Sequence, residues 1–154
     1  MLAKVKLSEK FARFDKPWSP KIVAELNDAY VKVVKLEGEF VWHHHDDEDE
    51  LFWVVSGRLR MELRDGEVIL EPGELLVVPR GVEHRPVAEG ETHVVLIEPK
   101  TTLNTGNVRD ERTVPTMQRS RETAHPNQCH HHPRDRALHT FPSLQPHWRR
   151  HCVG

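Results

Sequence analysis

Turn-forming pairs interrupt this chain about every ten positions. They are Asn27-Asp28, Ser56-Gly57, Asp65-Gly66, Pro72-Gly73, Arg80-Gly81 and Glu89-Gly90. Between them lie short runs rich in Val, Ile, Leu, Phe and Trp, which predict strands at 21–26, 30–36, 39–45, 51–55, 59–63, 68–70, 75–78, 84–87 and 93–97. Asp65-Gly66 is the strongest hairpin signal, because both turn positions tolerate positive φ. One short helical turn is expected over 8–14, with Ser8 as its N-cap. Many short strands at this spacing close as a sandwich or barrel, and the jelly roll is the natural closure. The expected fold class is therefore all-β.

Alternation within the runs indicates which side of each strand is buried. In Arg58-Leu59-Arg60-Met61-Glu62-Leu63-Arg64 the apolar residues take the odd positions and the charges the even ones. Those arginines are expected to face solvent. If Glu50 points inward, Phe52 and Val54 follow it, while Trp53 and Val55 face out. An outward Trp53 suggests a covered surface, with Trp42 able to join it, so a homodimer is expected.

The chain of 154 residues reads as one folded domain, residues 1–115, followed by a tail, 116–154. The tail holds seven of the twelve histidines, six arginines, two acids and both cysteines, Cys129 and Cys152. It keeps no period of 2 or 3.6, and it has too little apolar surface to offset its ordering entropy, so disorder is expected there. The body lacks cysteine altogether, which favours a reducing, cytoplasmic setting over a disulfide framework. It carries 16 basic against 22 acidic residues, an argument against nucleic acid as a partner. No signal-like or membrane-spanning apolar run is present, so no membrane partner is expected.

Within the body, four residues have metal-ligand chemistry at suggestive spacing. His43 and His45 share one face of a strand, and His44 turns away. Glu50 follows the acidic turn Asp46-Asp47-Glu48-Asp49 and opens the next strand; His84 follows Pro79-Arg80-Gly81 and reaches the same place if the sheet curls back. The acidic run is expected to be a solvated rim. Three imidazoles and one carboxylate suit a single divalent transition ion, with manganese, iron, nickel, zinc and copper all open, and leave positions for water or substrate.

The intervals resemble the two motifs of the cupins. Gly38, four residues, His43-x-His45, four residues, Glu50, six residues and Gly57 match the first motif. Gly73, five residues, Pro79-x-Gly81, two residues and His84 match the second, with Ala88 where the family pattern has Asn. The wider stretch, including 103–108, looks like the small single-domain cupins called mannose-6-phosphate-isomerase-like. The resemblance implies a double-stranded β-helix barrel, a metal held by His43, His45, Glu50 and His84, and a dimer.

Two classes of function follow. One is a metal-dependent enzyme on a small polar or sugar-like metabolite, of isomerase or dioxygenase type. An isomerase needs a proton-shuttling group, for which Glu39, Arg85 and His93 are the weak candidates; a dioxygenase needs none. The other is a metal-containing module that binds or senses a small molecule without turnover.

Overall fold

The computed structural model describes residues 2–120. The histidine-rich tail expected to be disordered lies, from residue 121 on, outside the described residues. The elements in chain order are α1 (Leu7–Phe11), β1 (Lys21–Leu26), β2 (Ala29–Glu39), β3 (Glu50–Ser56), β4 (Leu59–Leu63), β5 (Gly66–Leu70), β6 (Leu75–Val78), β7 (His84–Pro99) and β8 (Gln118–Arg119). The described residues are all-β apart from one short helix. Lys6 occupies that helix's N-cap without a side-chain bond, so Ser8 does not cap it but lies inside the first turn.

Two long strands organise the molecule. β7 pairs antiparallel with β2 along most of its length, with β4 through its first half and with β3 through its second. β3 also pairs with β6, β4 with β5, and β1 joins β2 to the short parallel β8. The result is two facing layers of one continuous sheet that share β2 and β7, a jelly-roll arrangement whose hydrogen bonding stays open among the described residues. β2 bends from one layer to the other at Gly38, where the register shifts and φ is +74°. β7 makes the same passage at Glu89-Gly90. Those residues, expected as a turn between two strands, instead continue one strand of sixteen. The long partner explains this, because β2 pairs with β7 on both sides of the bend and Glu89, Gly90 and Glu91 form a bulge opposite Glu37.

Alternation sorts the side chains as expected. Val34, Leu36, Phe52, Val54, Leu59, Met61, Leu70, Val78, Ala88, Val94 and Leu96 fill the space between the layers. Each fully buried side chain of this size contributes about 1.5–3 kcal/mol through removal from water. A second cluster lies outside the larger layer, where Phe11 of α1 covers Val33 and Val95, with Leu7, Phe14, Val55 and Ile97 packed around them. Val55 thus faces outward yet is covered by the N-terminal segment. Trp53, Leu75 and Val77, on the same outer side of β3 and β6, are not covered. Trp42 does not join them: the Arg64 guanidinium stacks 3.9 Å from its ring, and Arg85 lies 5.3 Å away.

One expected strand is missing. Residues 40–49 hold only an isolated bridge, His43 to His84, where a strand over 39–45 was expected. The partner strand supplies the reason. Pro86 has no N–H to return to Val41, and its carbonyl takes the Phe40 N–H at 2.9 Å instead. The ladder slips and resumes only at His43 and His84, which exchange two backbone bonds of 3.0 and 2.9 Å.

Candidate metal centre

That single bridge sets the site. It places His43 directly opposite His84, with both side chains turned between the layers, where their exposure is 2% and 1%. Each ring is fixed in the same way. His43 Nδ1 donates to the Val41 carbonyl at 3.0 Å, the one freed by Pro86, and His84 Nδ1 donates to the Val82 carbonyl at 2.9 Å. A carbonyl can only accept, so both rings carry their proton on Nδ1 and present a bare Nε2 to the interior.

His45 and Glu50 complete the group from the other sides. The backbone carbonyl of His45 accepts the Gly81 N–H at 2.7 Å, which ties the second histidine to the turn before β7. Asn107 clamps the residue between them: its N–H reaches the His44 carbonyl at 3.0 Å, and its Oδ1 accepts the His44 N–H at 3.0 Å. Glu50 is the first residue of β3, and pairing with Val78 points it inward. The four side chains bring one donor atom each to within 4.8 Å of one another, all buried.

The donors fit a metal. Glu50 Oε2 lies 3.3 Å from His45 Nε2 and 3.6 Å from His84 Nε2. Yet none of these three buried atoms makes a hydrogen bond of acceptable geometry. Ligands about 2.1 Å from a zinc-like ion sit at roughly this separation from one another. Buried polar atoms without partners are rare in native proteins and need an explanation. A shared divalent ion is one that satisfies all three. The electrostatics agree. Burial, then the proximity of His84, pushes the His43 imidazole down to about 4, so it is neutral and able to ligate at neutral pH. Burial opposes ionisation of Glu50, but contact with His45 and His84 outweighs it and holds the carboxyl well below the usual range.

Behind Glu50 stands a buried pair that the sequence did not reveal. Lys32 on β2 and Glu98 on β7 form an ion pair at 0% and 2% exposure. Burial and the neighbouring Glu50 charge raise the Glu98 carboxyl well above its ordinary value, while Lys32 pulls it the other way. Alternation puts Lys32 on the face of Val34 and Leu36 and Glu98 on that of Val94 and Leu96, but the pairing of the two charges appears only when β2 and β7 meet.

On the opposite side of the cluster is a cavity of about 370 Å³ of empty space, counting the part open to solvent. His43 and Glu50 form one end. Its walls are mostly apolar, with Trp18 and Phe40 stacked at 4.6 Å. The turn Asp46–Glu48 borders a separate polar cleft beside His45.

The other residues singled out from the sequence lie elsewhere. His44 is half-exposed, its Nε2 3.1 Å from Asp46. Glu39 and Arg85 pair with each other at 3.0 Å on the surface, and Arg85 also holds Glu62. His93 is opposite in sense to the buried Val94: it stacks on Phe11 at 4.3 Å, outside the larger layer, and bonds Glu91. None of the three reaches the cluster, because strand alternation or a carboxylate partner turns each away.

Comparison with known proteins agrees with this geometry. The cupin domain family model matches residues 30–99. A cupin-2 domain containing protein from Shewanella frigidimarina NCIMB 400 is 47% identical, with a TM-score of 0.62 over 62% of this chain and 94% of that one. The chain belongs to the cupin family. Among curated proteins this cupin is similar to the uncharacterized protein YdbB of Bacillus subtilis (strain 168), 38% identical over 80 residues, 51% of this chain and 65% of YdbB. It is also similar to an acireductone dioxygenase of Bacillus licheniformis, 32% identical over 80 residues, 49% of this chain and 45% of the dioxygenase. The cupin thus spans just under two thirds of one curated relative and less than half of the other.

Proposed function

We propose that this cupin is a metal-dependent enzyme acting on a small molecule, of the dioxygenase rather than the isomerase type, and that His43, His45, Glu50 and His84 are its metal ligands. The observation that carries the reading is the set of three unpartnered buried donor atoms aimed at one another beside a cavity. A divalent transition ion bound there supplies a Lewis acid and open positions for substrate oxygens. The chain's own residues do the rest. Val41 and Val82 fix the imidazole tautomers, Glu50 balances charge, and the apolar walls exclude water.

The choice between reaction types rests on what does not reach the cavity. Moving a proton between adjacent carbons requires a positioned acid–base group. Glu39, Arg85 and His93 are all engaged outside the cavity. Similarity to an acireductone dioxygenase points the same way. The absence of a positioned base also leaves room for a second reading, a binding module without turnover. An oxygen electrode separates the two. Protein reconstituted anaerobically with iron(II), manganese(II) or nickel(II) is expected to consume oxygen with some member of a panel of enediols, 2-oxo acids and dihydroxyaromatics. Metal binding with ligand-dependent melting shifts and no oxygen uptake would instead support the module. We further propose that two copies associate through the outer face of β3 and β6.

A further inference from the structure

We infer that the cavity beside the metal centre takes a small amphiphile, with one oxygen-rich chelating head and a short apolar body, and not a sugar phosphate. The inference rests on reading the cluster as a metal centre. Trp18, Val34, Leu36, Phe40, Phe52 and Leu96 make most of the wall, and among the described residues only His43, Glu50 and Asn104 bring polar side chains. Asn104 has nothing left to offer. Its Nδ2 donates to the Arg112 carbonyl at 2.8 Å, and its Oδ1 accepts the Val114 N–H at 2.8 Å. His43 uses Nδ1 on Val41. Every remaining polar group in the cavity therefore belongs to the metal cluster, at one end.

A sugar phosphate needs the opposite. Its phosphate calls for a cation or a cradle of backbone N–H groups, and each hydroxyl pressed against these walls would lose water and gain no partner. Among the described residues, no lysine or arginine lines the cavity. Arg112 lies 5.2 Å from the Phe40 ring, but its guanidinium is held by Asp110 and the Glu39 carbonyl. The ligand's body must also be short, because the cavity measures only about 370 Å³ including the part open to solvent.

Trp18 marks the apolar wall as built. It is one of two non-glycine residues at positive φ among those described, +56°, a conformation that a bulky side chain adopts only under constraint. Two bonds hold it there: its backbone N–H to the Lys35 carbonyl at 2.9 Å, and its indole Nε1–H to the Glu37 carbonyl at 2.9 Å. The indole's single polar atom is thereby consumed on β2, and the stacked ring adds only apolar surface to the cavity.

The test uses the full chain loaded with cobalt(II), whose visible bands respond to ligands in the coordination sphere, with titration calorimetry in parallel. The probes are 3-methyl-2-oxobutanoate, glyoxylate and fructose 6-phosphate. The branched oxo acid is expected to bind about tenfold or more tightly than glyoxylate, from burial of its isopropyl group, and fructose 6-phosphate more weakly than both. Trp18→Ala should remove most of that advantage while glyoxylate affinity and cobalt content stay unchanged. Val34→Thr, which keeps the shape and adds a hydroxyl, should reduce it too if Trp18→Ala fails to fold. Fructose 6-phosphate binding as tightly as the oxo acid, equal affinity for both oxo acids, or no binding of any probe would overturn the inference with the metal centre intact. Failure to take up cobalt, read by elemental analysis before any ligand is added, would overturn the metal-centre reading and this inference with it.

Discussion

His43, His44 and His45 are consecutive, yet only the outer two face the interior, while His44 sits half-exposed against Asp46. His84→Ala should therefore remove most of the bound metal, and His44→Ala should leave metal content largely unchanged; elemental analysis of both variants, expressed alongside the parent, checks this. Acid should act on the same residues. An unfolded imidazole takes its proton near 6.5, whereas native His43 does so only near 4. Below 6.5 the unfolded imidazole binds more protons than the native one, so His43 should lower the stability of the metal-free protein as pH falls, by up to about 1.4 kcal/mol per unit across this window. Glu50, also held below its usual range, extends the loss to lower pH, while the raised Glu98 carboxyl works in the opposite sense. Urea midpoints at pH 7.5, 6 and 5 are therefore taken on a Lys32→Met, Glu98→Leu double variant, which removes the Glu98 contribution, and a flat profile there would contradict the assigned environment of His43. The four clustered residues were legible in the sequence because their spacing is a local property of two turns. Trp18, Asn107 and Lys32 were not, because each gains its role from a neighbour distant in the chain.

Between β2 and β7, the buried Lys32–Glu98 pair offers a test of how the elements hold Glu50 in place. Lys32→Met leaves Glu98 buried beside Glu50 without its cation and should destabilise the protein by about 3 kcal/mol. The double change Lys32→Met with Glu98→Leu should recover most of that, since apolar replacement of a whole buried pair is often neutral. Denaturant melts of the single and double variants give the comparison. The loop after β7 is equally specific. At Gly106, φ is +51° and an added Cβ would run into the His44 carbonyl oxygen. Gly106→Ala should then cost about 2 kcal/mol or more and lower metal content by shifting the segment that carries His43 and His45. Boundaries were the part of the fold least visible in advance. The strand expected over 39–45 dissolves because Pro86, on another strand, cannot donate, and the turn expected at Glu89-Gly90 is reduced to a bulge because β2 pairs with β7 on either side of it. Both outcomes depend on a partner strand that a single run of residues does not name.

For the whole molecule, α1 covers one part of the outer face and leaves another bare. Trp53, Leu75 and Val77 stand 40%, 57% and 46% exposed on adjacent strands, and the far edge of β6 pairs with no described strand. A two-fold contact of this face with its copy would bury all three and cover the edge. Trp53→Glu with Val77→Lys should convert the dimer to monomer in light scattering without changing metal content. A parent that is already monomeric would refute the association.

β7 also has a consequence in time. It is the only described strand that pairs with β2, β3 and β4, and His84 is its first residue. No pair of neighbouring strands can assemble the four donors by itself, since His84 meets His43 and Glu50 only across sequence separations of tens of residues. Contacts of that range form slowly and together. The nascent chain therefore displays its histidines as separate, weak ligands until β7 docks. Tight, stoichiometric metal uptake should begin only with that docking step, which makes the ion a reporter of completed folding, with no role as its nucleus.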